Sequence, residues 1–403
     1  MIWELKKKLY RSKQQVMKIA AMVIPIPEPE LLTGAGSVKK LADKIKEKGL
    51  KHVLVVTDKV LMSLKVPAVL LESLDQKGIK YTIYDNVQPN PTIENVENGR
   101  AIYKANKCDG LVAFGGGSPI DCAKVIGARL SNPYFSVRAM KGLFKVFLPI
   151  PPLFCVPTTA GTGSETTVAA VISDPGTHEK FAINDLKLIP KIAVLDPELM
   201  VGLPPHITST TGMDALTHAV EAYIGLNGTP FTDEKAEQAT KLIFENLEQA
   251  YKNGADLKAR NNMALASYYA GAAFTRAYVG YVHAIAHNMG GLYGVPHGLA
   301  NAVILPYVLE FCRKGAEKKL AALAIAGGIG KKGEPVEELS HRFIEKIKTI
   351  NKNMKIPTFI KELKEKDIPL IAQRAINEAH PDYPVPVIMT LEECETLVRK
   401  LLP

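Results

Sequence analysis

The chain has 403 residues, 47% of them hydrophobic and 23% charged, and a formal net charge of +9. That length exceeds a typical single core and points to two domains of roughly 200 residues, and the apolar share excludes a disordered chain. Residues 1–50 carry 11 basic and 5 acidic side chains and so account for +6 of the charge, leaving the remainder nearly balanced, without the signature of a nucleic-acid-binding protein. Cys108, Cys122, Cys155, Cys312 and Cys394 are odd in number and form no CxxC pair, which argues for a reducing compartment, the cytoplasm, against a disulfide framework. No apolar run is long enough to span a membrane, because Lys145 and the prolines at 149, 151 and 152 interrupt the longest candidate.

In chain order, the first 22 residues set six basic side chains against Glu4, with Trp3, Leu5, Leu9, Tyr10, Val16 and Met17 interspersed. They lack the uninterrupted apolar core of a signal peptide. The pattern reads as a solvated helix packing one side on its own body or on a second subunit, and it also permits a helix lying in a membrane interface. After Pro25–Pro29, short β-branched runs at 52–58, 80–87, 110–116 and 153–159 read as strands, with helices expected over 59–77 and 92–107. Such alternation is the signature of a mostly parallel, Rossmann-like sheet covered on both faces.

Three places near strand ends carry candidate chemistry. Asp58 follows the first clear strand, where a carboxylate can cap the next helix or accept hydrogen bonds from an adenosine ribose while repelling a 2'-phosphate. Gly115-Gly116-Gly117-Ser118-Pro119 lets backbone approach an anion, with Ser118 expected to cap a helix, Pro119 to start it and Asp121 to sit in its first turn. Thr158, Thr159, Thr162 and Ser164 form a hydroxyl-rich, glycine-containing loop suited to the other wall of a dinucleotide crevice.

Near Gly202 the character changes: Leu203-Pro204-Pro205 is followed by long helical stretches, such as 233–253, and few strand-like runs. The expected division is an α/β dinucleotide-binding domain over 1–202 and an all-helical domain over 203–403. Within the second, Asp214 and His218 are spaced i, i+4, as are His283 and His287, so each pair shares a helix face. Gly290-Gly291 and the Pro296-His297-Gly298 turn can swing His297 back towards them. One carboxylate with several imidazoles suits Fe(II) or Zn(II) better than Mg(II) or Ca(II). Phe274 and Tyr278 precede this stretch and are spaced to share a face that lines a substrate pocket.

The runs GGGSPIDCAK, PTTAGTGSE, GMDALTHAVEAY and GYVHAIAHNMGGLYGVPHG resemble, in the same order, those of the iron-containing (group III) alcohol dehydrogenases. The resemblance implies a dehydroquinate-synthase-like architecture, a nucleotide-binding domain followed by a helical metal-binding domain, with the active site between them. It also implies Asp214, His218, His283 and His297 as metal ligands, and leaves His287 beside the metal, where it can relay a proton and meet the cofactor. Lys180 matches a position that reaches the cofactor ribose, and the acid at Asp58 goes with NAD in preference to NADP.

The mechanism implied is hydride transfer between nicotinamide C4 and a small primary alcohol, diol or aldehyde held on the divalent metal. Iron is the expected metal, with zinc or another divalent ion as a substitute, and the family forms homodimers and larger rings. Maleylacetate reductase and glycerol dehydrogenase share this ground plan, and a dehydroquinate-synthase-like lyase is the alternative from another reaction class. A non-catalytic metal or nucleotide sensor is a third.

Overall fold

The computed structural model describes residues 2–177 and 179–403. Met1, at the head of the basic N-terminal stretch, lies outside them. The chain groups into two compact units: Pro27–Leu203 with Gly254–Ala264, and the chain up to Ile26 with Pro204–Asn253 and Leu265–Pro403. The first helix, α1 (Ile2–Val23), therefore belongs with the helical unit, where the expected 1–202 division put it with the α/β one. Polar contacts explain the difference. Arg11 donates to the carbonyls of Val385 and Pro386, and Gln14 donates to those of Pro381 and Tyr383. Gly254–Ala264 departs in the opposite sense, because Arg260 donates to the carbonyls of Gly254 and Leu203 and so ties this segment to the α/β unit.

In the α/β unit the order is β1 (Glu30–Thr33), α2 (Ser37–Glu47), β2 (His52–Val56), α3 (Lys59–Ser63), α4 (Ala68–Gln76), β3 (Lys80–Tyr84), α5 (Ile93–Ala105), β4 (Gly110–Gly115) and α6 (Gly117–Ser131). Then follow β5 (Gly142–Leu143), β6 (Leu153–Pro157), β7 (Ala169–Asp174), β8 (Glu179–Asn184) and β9 (Ile192–Leu195). The expected helix over 59–77 is two helices, since Lys65 turns to φ 56° and Pro67 follows. Six parallel strands pair in the order β1-β9-β6-β4-β2-β3, and a small second sheet has the order β5-β8-β7.

Alternate residues of the central strands feed two cores. Leu54, Val56, Leu111, Ala113, Leu153 and Cys155 pack on one face, while Val53, Val55, Val112, Phe114, Phe154 and Val156 pack on the other. Burial on both faces is why these strands read as continuous apolar runs without polar alternation. The chain winds outward from β2 in both directions, to β3 on one side and to β4, β6 and β9 on the other. The crevice at such a reversal, outside the carboxyl ends of the strands, is where open sheets bind ligands. Asp58, Gly115 and Thr158 stand just past or at the ends of the neighbouring strands β2, β4 and β6.

The helical unit continues with α7 (Pro205–Ile224), α8 (Pro230–Lys252), α9 (Leu257–Ala277, whose residues up to Ala264 lie in the α/β unit), α10 (Tyr281–Tyr293), α11 (His297–Ala326), α12 (Val336–Asn353), α13 (Ile368–Ala379) and α14 (Leu391–Arg399). The helix expected from 233 begins at Pro230, because Thr229 caps it and proline fits its first position. Among the described residues no helix is long and apolar enough to cross a membrane. All five cysteines are buried and free.

A buried cation fastens α6 to the loop after β6. Lys124 is fully buried and donates to the carbonyls of Ser164, Thr167 and Ala169 at 2.7–2.8 Å. Glu165 shares this region; burial pushes its carboxyl from 4.5 up to about 7, against the opposing pull of Lys124. Below pH 4.5 the proton is held in both folded and unfolded chains, whereas between 4.5 and about 7 only the folded chain keeps it. Unfolding free energy should therefore fall as pH rises through that window. Glu165→Gln should flatten the fall and gain up to ~3 kcal/mol at pH 8 over its effect at pH 4, read by urea denaturation of both proteins at each pH. Parallel pH profiles would contradict the assignment.

Candidate active site

Three helices of the helical unit bring the proposed ligand side chains together. Asp214, His218 and Glu221 occupy successive turns on one face of α7, His283 lies in the first turn of α10, and His297 is the first residue of α11. Donor atoms of Asp214, His283 and His297 all lie within 4.8 Å of one another. His218 is outside that mutual set, but its ring stacks on His283 with centroids 4.5 Å apart and on Phe274 at 4.2 Å. His287 stacks on His297 at 5.3 Å and meets His283 edge-on at 6.0 Å.

Glycines make this convergence possible. A Cβ on Gly298 would stand 2.5 Å from the Thr210 carbonyl oxygen, so only glycine lets the start of α11 press against α7 and deliver His297 to Asp214. A Cβ on Gly280 would stand 2.8 Å from Glu221 Oε1. Glu221 uses that space: its carboxylate accepts from Gly280 N at 2.8 Å, Val282 N at 2.7 Å and His283 Nδ1 at 2.6 Å. Burial pushes Glu221 up to about 7, and the backbone N–H groups of Gly280, Val282 and His283 oppose that rise. Burial, followed by the charges of His218, His297 and His287, holds His283 well below its ordinary value. With Nδ1 donating to this carboxylate, Nε2 keeps its lone pair.

That lone pair faces the others. Asn301 Nδ2 stands 2.6 Å from Asp214 Oδ1, 3.1 Å from His297 Nε2 and 3.3 Å from His283 Nε2, while its Oδ1 is buried without a hydrogen-bond partner among the described residues. A buried carboxylate and two imidazole nitrogens around one point are what a site for a divalent transition metal offers. A carboxylate holding the far nitrogen of a ligating histidine is the usual support of such a centre. His287 has a separate anchor, since its Nδ1 bonds Glu378 Oε1 at 2.7 Å and Tyr383 donates to the same oxygen at 2.8 Å.

The glycine-rich turn in the α/β unit departs from its expected cap. α6 starts at Gly117 with Gly116 as its cap, ahead of Ser118, whose Oγ accepts from Asn90 N. Gly115 has φ 150°, and a Cβ there would meet Pro119 at 2.6 Å. Cβ atoms on Gly116 and Gly117 would meet Thr159 Oγ1 at 3.2 Å and Thr162 Cγ2 at 2.9 Å, so the two expected phosphate-type loops lie side by side. Asp121 and Ser164 are turned to each other: the serine hydroxyl donates to Asp121 Oδ1 at 2.6 Å, and Val171 N donates to Oδ2. Asp121 thus braces the loop. Lys180 Nζ donates to Asn90 Oδ1 at 2.8 Å, and burial lowers its pKa. Asp58 caps α3 by accepting from Leu61 N at 2.9 Å.

Comparison with known proteins matches residues 28–197 to the family described as iron-containing alcohol dehydrogenase, and residues 208–402 to its C-terminal part. The 1,3-propanediol dehydrogenase of Klebsiella pneumoniae is 40% identical over 351 residues, covering 86% of this chain and 90% of the relative. The NAD-dependent methanol dehydrogenase of Bacillus methanolicus is 38% identical over 376 residues, covering 93% and 98%. A crystal structure of 1,3-propanediol oxidoreductase superposes with a TM-score of 0.90 at 37% identity, covering 94% of this chain and 100% of that one.

The chain belongs to the iron-containing alcohol dehydrogenase family. It is an oxidoreductase interconverting alcohols and aldehydes, with the family's Rossmann-like α/β region and helical region. In this dehydrogenase the sequence reading passed over Glu221, Asn301, Glu378 and Asn90. The first two were findable: Glu221 follows Asp214 by seven residues and Asn301 follows His297 by four, so each shares a helix face with a proposed ligand. Glu378 lies 91 residues from its partner His287, and no local pattern joins them. Tyr278 also differs from expectation, because α9 ends at Ala277 and Tyr278 turns to φ 69°, leaving only Phe274 on the helix beside His218.

The Gly298 contact yields a direct test. Gly298→Ala should force α11 off the Thr210 carbonyl, lower bound metal at least about tenfold and cost roughly 1–3 kcal/mol of stability, read by elemental analysis and thermal melts. Unchanged metal content would mean that this close approach does not position His297.

Proposed function

We propose that the protein is a divalent-metal-dependent, NAD-linked alcohol dehydrogenase acting on a small primary alcohol or diol and, in reverse, on the aldehyde, with iron as the metal. The observation that carries this reading is the convergence of Asp214, His283 and His297 donor atoms within 4.8 Å of one another, with His283 fixed by Glu221. His218, stacked on His283, completes the proposed ligand set. When bound, such a cation supplies a Lewis acid that lowers an alcohol's pKa, and nicotinamide supplies two-electron redox chemistry.

The chain's own residues supply the rest. Glu221 keeps the proton of His283 on Nδ1, so Nε2 stays a neutral donor. Phe274, stacked on His218, gives the site an apolar side suited to the carbon chain of a short alcohol. His287, anchored through Nδ1 to Glu378, exchanges a proton through Nε2 and meets the cofactor. In the α/β unit, the Gly115–Gly117 backbone and the Thr158, Thr159 and Thr162 loop bind pyrophosphate and ribose, with Ser118, Ser164 and Asp121 setting their shape and Lys180 reaching the ribose. Asp58, at the end of β2, favours NAD over NADP. The names of the two relatives, a propanediol dehydrogenase and an NAD-dependent methanol dehydrogenase, support the substrate class and the cofactor. Five free, buried cysteines fit a reducing cytoplasm, and a homo-oligomer is the expected assembly.

Elemental analysis with NAD-linked oxidation of methanol, longer primary alcohols and propane-1,3-diol tests this reading. Asp214→Ala should lose both metal and activity, and an active, metal-loaded variant would refute the site. His287→Gln should keep its metal while kcat drops about 10²-fold or more, as loss of a proton-transfer group does. Loss of metal from that variant would make His287 a ligand.

A further inference from the structure

The helix α1 lies ahead of the residues matched to the family, and it carries apolar side chains on its outer face as well as its inner one. Trp3, Lys7, Tyr10, Gln14 and Met17 follow one another at helical spacing and are the partly or fully covered side. That inner side is held by polar and aromatic contacts: Gln14 on the carbonyls of Pro381 and Tyr383, Arg11 on those of Val385 and Pro386, and the Tyr10 ring 5.2 Å from that of His380. Shifting the same spacing by two residues, or about 200° of helix, gives Leu5, Leu9, Ser12, Val16 and Ile19 on the opposite side. The four aliphatic side chains there are 60%, 62%, 67% and 55% exposed. A surface helix ordinarily turns its apolar stripe to the core and its polar one to water.

Charge decides what covers the outer stripe. Lys8 flanks it on one side and Lys6 and Lys13 on the other, and among the described residues Lys6 and Lys8 have no acidic partner within ion-pair distance. The helix carries six basic side chains against Glu4 alone. Two copies meeting through this face would bring like charges together. A helix of this length offers a face about 30 Å by 10 Å, well short of the roughly 800 Å² per partner of a stable protein interface. An aliphatic stripe between lysines is instead the chemistry of a helix lying in the headgroup layer of an anionic membrane, with lysine stems snorkelling to phosphate.

We propose that the outer face of α1 docks the protein on an anionic phospholipid bilayer. The test is co-sedimentation of the full-length protein with vesicles of phosphatidylglycerol and phosphatidylcholine, beside vesicles of phosphatidylcholine alone. Binding should be confined to the anionic vesicles and should weaken about tenfold or more at ~0.5 M salt, where screening is nearly complete. The double variant Leu9→Glu, Val16→Glu should lose it about tenfold or more while circular dichroism and alcohol oxidation stay unchanged, because those side chains face away from the protein body. Failure of the wild type to bind anionic vesicles, or equal binding by the double variant, would overturn the proposal. So would a fall in assembly size in the double variant, by sedimentation velocity, without vesicle binding by either protein, since a second copy would then cover the face.

Discussion

The carboxylate of Glu221 is the constraint on which the geometry of the proposed metal site depends. It accepts from Gly280 N, Val282 N and His283 Nδ1 at once, so it joins α7 to the opening turn of α10 and sets the tautomer of His283 in the same contact. Without that acceptor, two backbone donors at a buried helix start would be left unmet, and the imidazole could turn either nitrogen to the centre. Burial makes the arrangement costly: it disfavours charge on Glu221 and on His283 alike, and the backbone donors around the carboxylate offset part of that cost for Glu221. Gly280 exists beside it because a Cβ would collide with Oε1.

The α/β unit solves a different problem with the same device of close approach. Its sheet reverses winding direction beside β2, so the ends of β2, β4 and β6 open on one crevice, and three glycines after β4 admit the threonines of the loop after β6. Asp121, Lys124 and Asn90 hold those loops from behind: Asp121 on Ser164 and Val171, Lys124 on Ser164, Thr167 and Ala169, Asn90 between Ser118 and Lys180. Residues that look like ligand contacts in sequence can thus serve by bracing the backbone that makes the contact.

What the sequence revealed, and what it hid, follows from the range of the interactions. Parallel strands buried on both faces announce themselves as apolar runs, and i, i+4 pairs such as Asp214 with His218 or His283 with His287 fall on one helix face whatever the tertiary structure. Helix starts were less legible: Ser118 looked like a cap, but the Gly115–Gly117 backbone already turns into α6 and frees Ser118 for Asn90. Long-range partnerships left no local trace. Glu378 under His287, α1 on residues 381–386, and Arg260 tying Gly254–Ala264 to Leu203 are each set by packing between distant segments. The glycines stood out in sequence, but the atoms their missing side chains avoid did not.

The most direct test of this account is a crystal structure of the iron-loaded protein with anomalous scattering measured at the metal edge. The account predicts one strong anomalous peak ligated by Asp214, His218, His283 and His297, with Glu221 still on His283 Nδ1 and Asn301 outside the ligand shell. A peak instead at the exposed Glu310, His341 and Glu345 cluster, or a centre that leaves His283 turned away, would contradict it.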